Sequence, residues 1–176
     1  MPVGVRMSPL LELEPFDAKG RVQMVVETPR GSAIKFKLDE KKGIFTVSRS
    51  LAAGVTYPFD WGFVPGTLSE DGDPVDALCL HSHASFPGAV LPCRCLALVS
   101  IDQKGSKGRV GNPRLILAPA WEGGNVLQIG VELTDRVKAE LETFFLNATL
   151  FTDKDARITG WQDAAAAEVY LHKTRI

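Results

Sequence analysis

The stretch Asp71-Gly72-Asp73-Pro74-Val75-Asp76 places three carboxylates within six residues, and the rest of the chain is best understood from it. Gly72 and Pro74 favour a sharp turn, and the apolar run at 77–80 that follows predicts a buried strand. Crowded like charges repel, so the cluster stays ionised only with a cation or a proton among its members. Carboxylate oxygens suit hard cations such as Mg²⁺. A solvated acidic turn is the alternative, since turns favour Asp and Gly in any case.

Length and composition bound the class of protein. The chain has 176 residues, enough for one domain with a sizeable core. Its formal net charge of −1 gives no reason to expect nucleic acid or an anionic membrane as a partner. Three Cys, an odd count, argue against a disulfide framework and favour a reducing cytoplasm. No apolar run approaches the roughly 20 residues of a membrane span, and we expect no secretion signal.

Hydrophobic alternation and turn signals predict a strand-rich body. Residues 1–20 are expected to form an irregular N-terminal arm, and residues 21–176 a single domain. The pattern predicts strands at 21–27, 33–39, 44–49, 77–80, 89–101 and 114–118. The second and third of these are expected to pair as a hairpin.

The later part of the chain changes from strand to helix signals. Thr134 or Asp135 is expected to cap one helix, and a second is predicted at 163–173. Pro92 is expected to break the strand in which it lies, and 102–113 to form a polar loop. The pattern favours an α+β fold, a small barrel with helices gathered late.

Two lysines share one face of the predicted strand at 33–39. Lys35 and Lys37 stand two residues apart, so their side chains point the same way. A solvated edge is the usual explanation of such a pair. The nearby Arg49, Tyr57 and acidic turn favour a competing one, a pocket for a metal and a polyanion. Metal ions and cationic side chains together clamp phosphoryl groups.

A second set of metal-ligand types lies at alternate positions: Cys79, His81 and His83. In a strand these three side chains would face one way, which would allow a Zn²⁺ site. The spacing matches no common zinc pattern, so ordinary structural roles are favoured.

The acidic stretch resembles the signature of soluble family I inorganic pyrophosphatases. The similarity extends from Val25 to Tyr170, and the flanking matches are Glu27, Ile34-Lys35-Phe36, Arg49, Tyr57-Pro58 and Gly160-Trp161. The resemblance implies an α+β fold with a five-stranded OB-like β-barrel flanked by two C-terminal helices. It also implies a hydrolase, commonly a hexamer in bacteria, that splits pyrophosphate into two phosphates with Mg²⁺.

The resemblance implies roles for the acidic residues. Asp71 and Asp76 would hold the first metal ion, and Asp102 would face a further metal ion brought with the substrate. Asp73 would be the general base, or would orient the attacking water. Glu27 would support the waters around the metal ions.

The resemblance also implies how the substrate is held. Lys35, Arg49 and Arg114 would bind phosphate oxygens, the last standing where the family has a lysine. Tyr57 would stand close by as part of the catalytic group.

The chain departs from the family pattern at several of these positions. It carries Lys37 where the family has a second pocket acid, Trp61 where the family has a Tyr, and Gln103 where the family has a Glu. Asn112 stands in place of an Asp, and Ala148-Thr149 in place of a Tyr-Lys pair. Charge counting makes the site about three units more positive than that of its relatives. Each lost carboxylate weakens Mg²⁺ affinity, and Lys37 would compete with a metal ion or partly replace one.

Three hypotheses for the function remain. The first is a working Mg²⁺-dependent pyrophosphatase that binds pyrophosphate and forms a homo-oligomer, with no nucleic acid or membrane as partner. The second is a relative that acts on another phosphate compound or only binds. The third is a nucleic-acid-binding OB-type barrel, which the net charge and the acid cluster argue against.

Overall fold

A computed structural model of the protein describes residues 8–121 and 130–176. In these ranges the strands are β1 (Val22–Thr28), β2 (Ile34–Asp39), β3 (Ile44–Ser50), β4 (Asp60–Val64), β5 (Val75–Cys79), β6 (Val90–Gly105), β7 (Gly108–Gly111), β8 (Arg114–Pro119) and β9 (Arg157–Asp163). The helices are α1 (Asp135–Asn147) and α2 (Ala164–Thr174).

Five strands form a closed ring. β4 pairs with β1 and β5, β8 runs parallel to β5, and β6 joins β8 and returns to β1. β7 and β9 extend from β6, while β2 and β3 form the separate hairpin expected from the sequence. Closure removes the unpaired edges that a sheet otherwise exposes. The α+β fold, a five-stranded OB-like β-barrel with two C-terminal helices, is confirmed.

Apolar side chains of the barrel and the helices fill the core. α1 presents Leu141, Phe144 and Phe145, spaced for one helical face, to a cluster that includes Trp61 and Leu78. A second cluster joins residues of α2 to the barrel strands. The helices therefore cover the barrel through apolar contacts, which leaves its other surfaces free for polar groups.

Two predictions about β6 were wrong. The strand does not break at Pro92 but runs to Gly105, because the Pro92 carbonyl still accepts a hydrogen bond, at 2.8 Å, from the Ala120 N–H. The predicted loop at 102–113 is largely the end of β6 and the whole of β7, which pair as a hairpin. The sequence also did not predict β4, which contains Trp61 and Phe63.

Residues 8–20 of the predicted arm form turns and bends, with one bridge between Phe16 and Val22. Residues 1–7 of that arm lie outside the described residues. The division into an arm and a single domain stays a prediction. In the parts of the chain that the structure describes, no helix combines the length and the apolar character needed to cross a membrane.

Candidate active site

A cavity of about 380 Å³ brings the acidic turn and the β2–β3 hairpin together. Its walls include five carboxylates and five cationic side chains, so its formal charge balances when all are ionised. These ten residues are Glu27, Glu40, Asp71, Asp73, Asp76, Lys35, Lys37, Arg49, Arg114 and Lys154.

Strand register and turn geometry position these side chains. Lys35 lies opposite Arg49 across the hairpin, which places their two charges side by side. Gly72 has a φ of +86°, a conformation that glycine adopts without strain. The Asp73 carbonyl accepts a 2.8 Å hydrogen bond from the Ser69 N–H, which closes the turn just before β5.

Lys37 forms an ion pair with Asp73, the residue expected to act on the attacking water. The Lys37 Nζ lies 3.1 Å from Asp73 Oδ2, and the two side chains are 49% and 52% exposed. An exposed pair of this kind contributes about 0–1 kcal/mol. Lys37 therefore contacts the Asp73 carboxylate but is bound to it only weakly.

Arg114 is held more firmly. Its Nη1 lies 2.8 Å from Asp76 Oδ2 and donates a 2.7 Å hydrogen bond to the Asn112 carbonyl. The guanidinium also stacks over Trp61, 5.2 Å from the ring centroid, and its side chain is only 11% exposed. Several contacts thus fix Arg114 at the cavity wall, consistent with the preference of guanidinium groups for stacking on aromatic rings.

Burial shifts the pKa values of three cavity residues. It raises the pKa of Glu27 to about 7, although the Leu38 N–H donates a 2.9 Å hydrogen bond to this carboxylate. Burial likewise lowers the pKa of Lys35, whose Nζ lies 6.0 Å from the Trp61 ring centroid. Burial, together with the charges of Asp76 and Asp73, raises the pKa of Asp71. The cavity thus disfavours charges that lack a partner.

Arg49 and Tyr57 connect the cavity to α1. The Arg49 Nη2 donates a hydrogen bond to the Ala148 carbonyl at the end of that helix. Tyr57 is buried, and its ring packs edge-on against Phe144 at 5.0 Å between centroids. Burial raises the pKa of Tyr57, so its hydroxyl stays protonated. Of these two residues, the structure places Arg49 on the cavity wall and Tyr57 in the core beside α1.

The structure does not bring Asp102 to the cavity. Successive side chains of a strand point to opposite faces, so Gln103 is buried and lines the cavity, while Asp102 turns outward. There Asp102 pairs with Arg109, which also lies 2.9 Å from Asp155. Asp102 therefore does not line the cavity in this arrangement, and its expected role beside a metal ion stays a prediction.

Cys79, His81 and His83, considered above as zinc ligands, each contact a different group. The Cys79 Sγ lies 3.7 Å from Cys93 Sγ in the core, and the His81 Nε2 forms a 2.8 Å contact with Asp60 Oδ2. His83 is exposed and contacts Ser82 at 3.0 Å. These residues have separate structural partners.

The comparisons with known proteins decide the family. The family model "Inorganic pyrophosphatase" matches residues 24–175. The inorganic pyrophosphatase of Aeropyrum pernix is 33% identical over 171 residues, covering 95% of this chain and 96% of the relative. The crystal structure of inorganic pyrophosphatase from Thermus thermophilus has a TM-score of 0.82 at 33% identity, covering 94% of this chain and 95% of that one.

The chain belongs to the inorganic pyrophosphatase family. A Helicobacter pylori inorganic pyrophosphatase structure is also similar, with a TM-score of 0.80 and 28% identity over 93% of this chain and 96% of that chain. The matched segment contains every charged residue named above on the cavity wall, from Glu27 to Lys154.

Family members depend on a metal ion, and the donor chemistry of this pyrophosphatase-family cavity fits a hard divalent cation. Several carboxylates line the same cavity, and carboxylate oxygens are ligands that suit Mg²⁺. Four of these carboxylates belong to Glu27, Asp71, Asp73 and Asp76. Within residues 8–121 and 130–176, however, no three potential ligands form a ready-made coordination group. The ion pairs of Asp73 and Asp76 compete with a metal ion for the same oxygens.

Sequence reasoning missed Glu40, Ser48, Thr152 and Lys154, all of which line the cavity. Lys154 and Thr152 lie in the irregular segment between α1 and β9. No periodicity marks such a segment, so only its tertiary packing shows that it reaches the cavity. Gln103, Asn112 and Thr149, singled out as departures from the family pattern, do line it.

Proposed function

We propose that this protein hydrolyses inorganic pyrophosphate to two phosphates and uses Mg²⁺ to do so. The observation that carries the proposal is the meeting of the acidic turn with Lys35 and Arg49 in one cavity of a pyrophosphatase-family fold. Carboxylates and cationic side chains side by side suit a site for a metal ion and a polyanion.

Within this proposal, Asp71 and Asp76 hold the metal ion through their carboxylate oxygens. Bound Mg²⁺ supplies positive charge that neutralises phosphate oxygens and makes a nearby water more acidic. Asp73 accepts a proton from the attacking water as general base. Glu27, with its raised pKa, holds a proton near neutral pH or releases it as the charge around it changes.

Cationic side chains position the substrate. Lys35, Arg49 and Arg114 bind phosphate oxygens and offset the charge that develops on the leaving phosphate. Tyr57 supports the wall that carries Arg49, through its packing against Phe144. No side chain forms a covalent bond to phosphorus in this scheme, so catalysis rests on positioning and electrostatics.

The proposal extends to the assembly and location of the protein. A homo-oligomer, specifically a hexamer, is proposed from the family resemblance, and light scattering on the purified protein measures it. A cytoplasmic location is proposed because Cys79, Cys93 and Cys95 are free and buried, which suits a reducing compartment.

Phosphate release from pyrophosphate, measured with and without Mg²⁺, tests the proposed function. The wild type is expected to release phosphate only with the metal ion. Asp73→Asn should lower the rate about 10²–10⁴-fold, the usual contribution of a general base. Asp39→Asn is the matched control, because Asp39 pairs with Lys42 in the hairpin turn. Absence of Mg²⁺-dependent release at micromolar enzyme, or an equal loss in both variants, contradicts the proposal.

A further inference from the structure

The Lys37–Asp73 ion pair differs from the other cavity ion pair in how it is held. Arg114 is fixed to Asp76 by stacking on Trp61 and by its hydrogen bond to the Asn112 carbonyl. Lys37 has Asp73 as its hydrogen-bond partner, and about half of each side chain is exposed. Such a pair is weak and easily exchanged, since water screens it and the lysine stem is flexible.

The balance of charges on the cavity walls determines how an entering anion finds a cationic partner. When all ten groups are ionised, the five carboxylates balance the five cationic side chains, so the walls then offer no excess positive charge. Pyrophosphate carries several negative charges and presents many acceptor oxygens. Beyond Lys35 and Arg49, pyrophosphate gains a further cationic partner most readily where a cationic group can leave a weak ion pair. Of the two ion pairs that the described cavity residues form, the weaker is that of Lys37.

We propose that Lys37 is a substrate-binding residue. When pyrophosphate enters the cavity, Lys37 breaks its ion pair with Asp73 and binds a phosphate oxygen instead. The inference rests on the proposed function and adds a consequence to it. Lys37 supplies one positive charge that a divalent cation would otherwise supply, and its departure leaves the Asp73 carboxylate free for water. No covalent bond forms or breaks in the exchange.

Binding of pyrophosphate in excess EDTA, measured by calorimetry, tests the inference without turnover. The wild type is expected to bind pyrophosphate in the absence of divalent ions. Lys37→Gln should weaken this binding about tenfold or more, the loss typical of a charge-assisted hydrogen bond. Lys41→Gln, an exposed lysine of the same hairpin turn outside the cavity walls, should leave the affinity unchanged.

Two further variants separate substrate binding from a merely structural role. Asp73→Asn removes the competing partner of Lys37 and is expected to tighten pyrophosphate binding in EDTA. Lys37→Glu should bind one more Mn²⁺ per chain than the wild type in the presence of imidodiphosphate, counted by electron paramagnetic resonance.

The outcomes of these measurements are distinguishable. The inference is overturned if the wild type hydrolyses pyrophosphate with Mg²⁺ but does not bind pyrophosphate in EDTA. It is also overturned if the wild type and Lys37→Gln bind pyrophosphate in EDTA with equal affinity. Both results leave the proposed function intact. A wild type that neither releases phosphate nor binds pyrophosphate overturns the proposed function itself.

Discussion

Glu27 is a buried carboxylate on the cavity wall, and burial raises its pKa to about 7. Burial penalises its charged form more than the Leu38 hydrogen bond and the nearby lysines favour it. A group of this kind changes protonation near neutral pH, where a bound cation or anion alters its charge most easily.

The raised pKa of Glu27 predicts a pH dependence of stability. Between about pH 4.5 and 7 the unfolded carboxyl is ionised while the folded one keeps its proton, so stability falls as the pH rises and then levels off. The loss amounts to roughly 3 kcal/mol. Urea unfolding across this range in EDTA should show the slope in the wild type and not in Glu27→Gln. Parallel curves for both proteins would contradict it.

The outward direction of Asp102 and the inward direction of Gln103 predict opposite effects of mutation. Asp102→Asn should keep Mg²⁺-dependent phosphate release within about fivefold of the wild type, because only exposed pairs are lost. Gln103→Glu should lower the Mg²⁺ concentration for half-maximal release, because it adds a carboxylate to the cavity wall. A large loss in Asp102→Asn would instead place Asp102 among the metal ligands.

Among the elements, the β2–β3 hairpin is connected to the end of α1 through Arg49. The hairpin carries Lys35, Lys37 and Arg49, and the Ala148 carbonyl just after α1 accepts a hydrogen bond from Arg49. Thr134 is the N-cap that starts α1, which settles the alternative between Thr134 and Asp135. The end of the helix is thereby linked to the position of Arg49, the proposed substrate-binding arginine.

Removing the cap should destabilise the protein by about 1 kcal/mol in Thr134→Ala. The Thr134 Oγ1 accepts a 3.2 Å hydrogen bond from the Val137 N–H, which alanine cannot replace. Thr143→Ala is the control, because its exposed mid-helix hydroxyl bonds only to the Ala139 carbonyl. That change should be neutral or slightly stabilising. Urea unfolding measures both, and equal losses would contradict the role of the cap.

For the whole molecule, closure of the five-stranded ring holds in place the strands that carry Glu27, Asp76 and Arg114 on the cavity wall. Gly62 of β4 lies opposite Val26 of β1, where the two backbones approach closely. A Cβ at this position would lie 1.8 Å from the Val25 carbonyl oxygen. A backbone atom cannot move away without opening the ring.

Gly62→Ala is therefore expected to cost more than about 4 kcal/mol, at the extreme of single substitutions. Gly111→Ala is the matched control, because its Cβ would meet only the Glu70 carboxylate, 2.8 Å away, at the end of a flexible side chain. Thermal unfolding and the yield of folded protein compare the two variants. Similar melting temperatures would show that the β1–β4 contact does not limit closure.

The acidic turn, the lysine-bearing hairpin, the two late helices and, through the resemblance, the family could all be predicted from the sequence. These features depend on local rules: glycine and proline in a turn, alternation in a strand and caps at a helix. The same local rules failed for β6, where a proline stands at a position that the sheet tolerates.

Which charges meet depends on how distant segments of the chain pack together. Lys37 and Asp73 are 36 residues apart and pair because the hairpin and the turn face one cavity. The pairing register of β6 turned Gln103 inward and Asp102 outward, and packing after α1 brought in Lys154. Contacts between distant segments depend on how the strands close, and no local pattern in the chain encodes that closure.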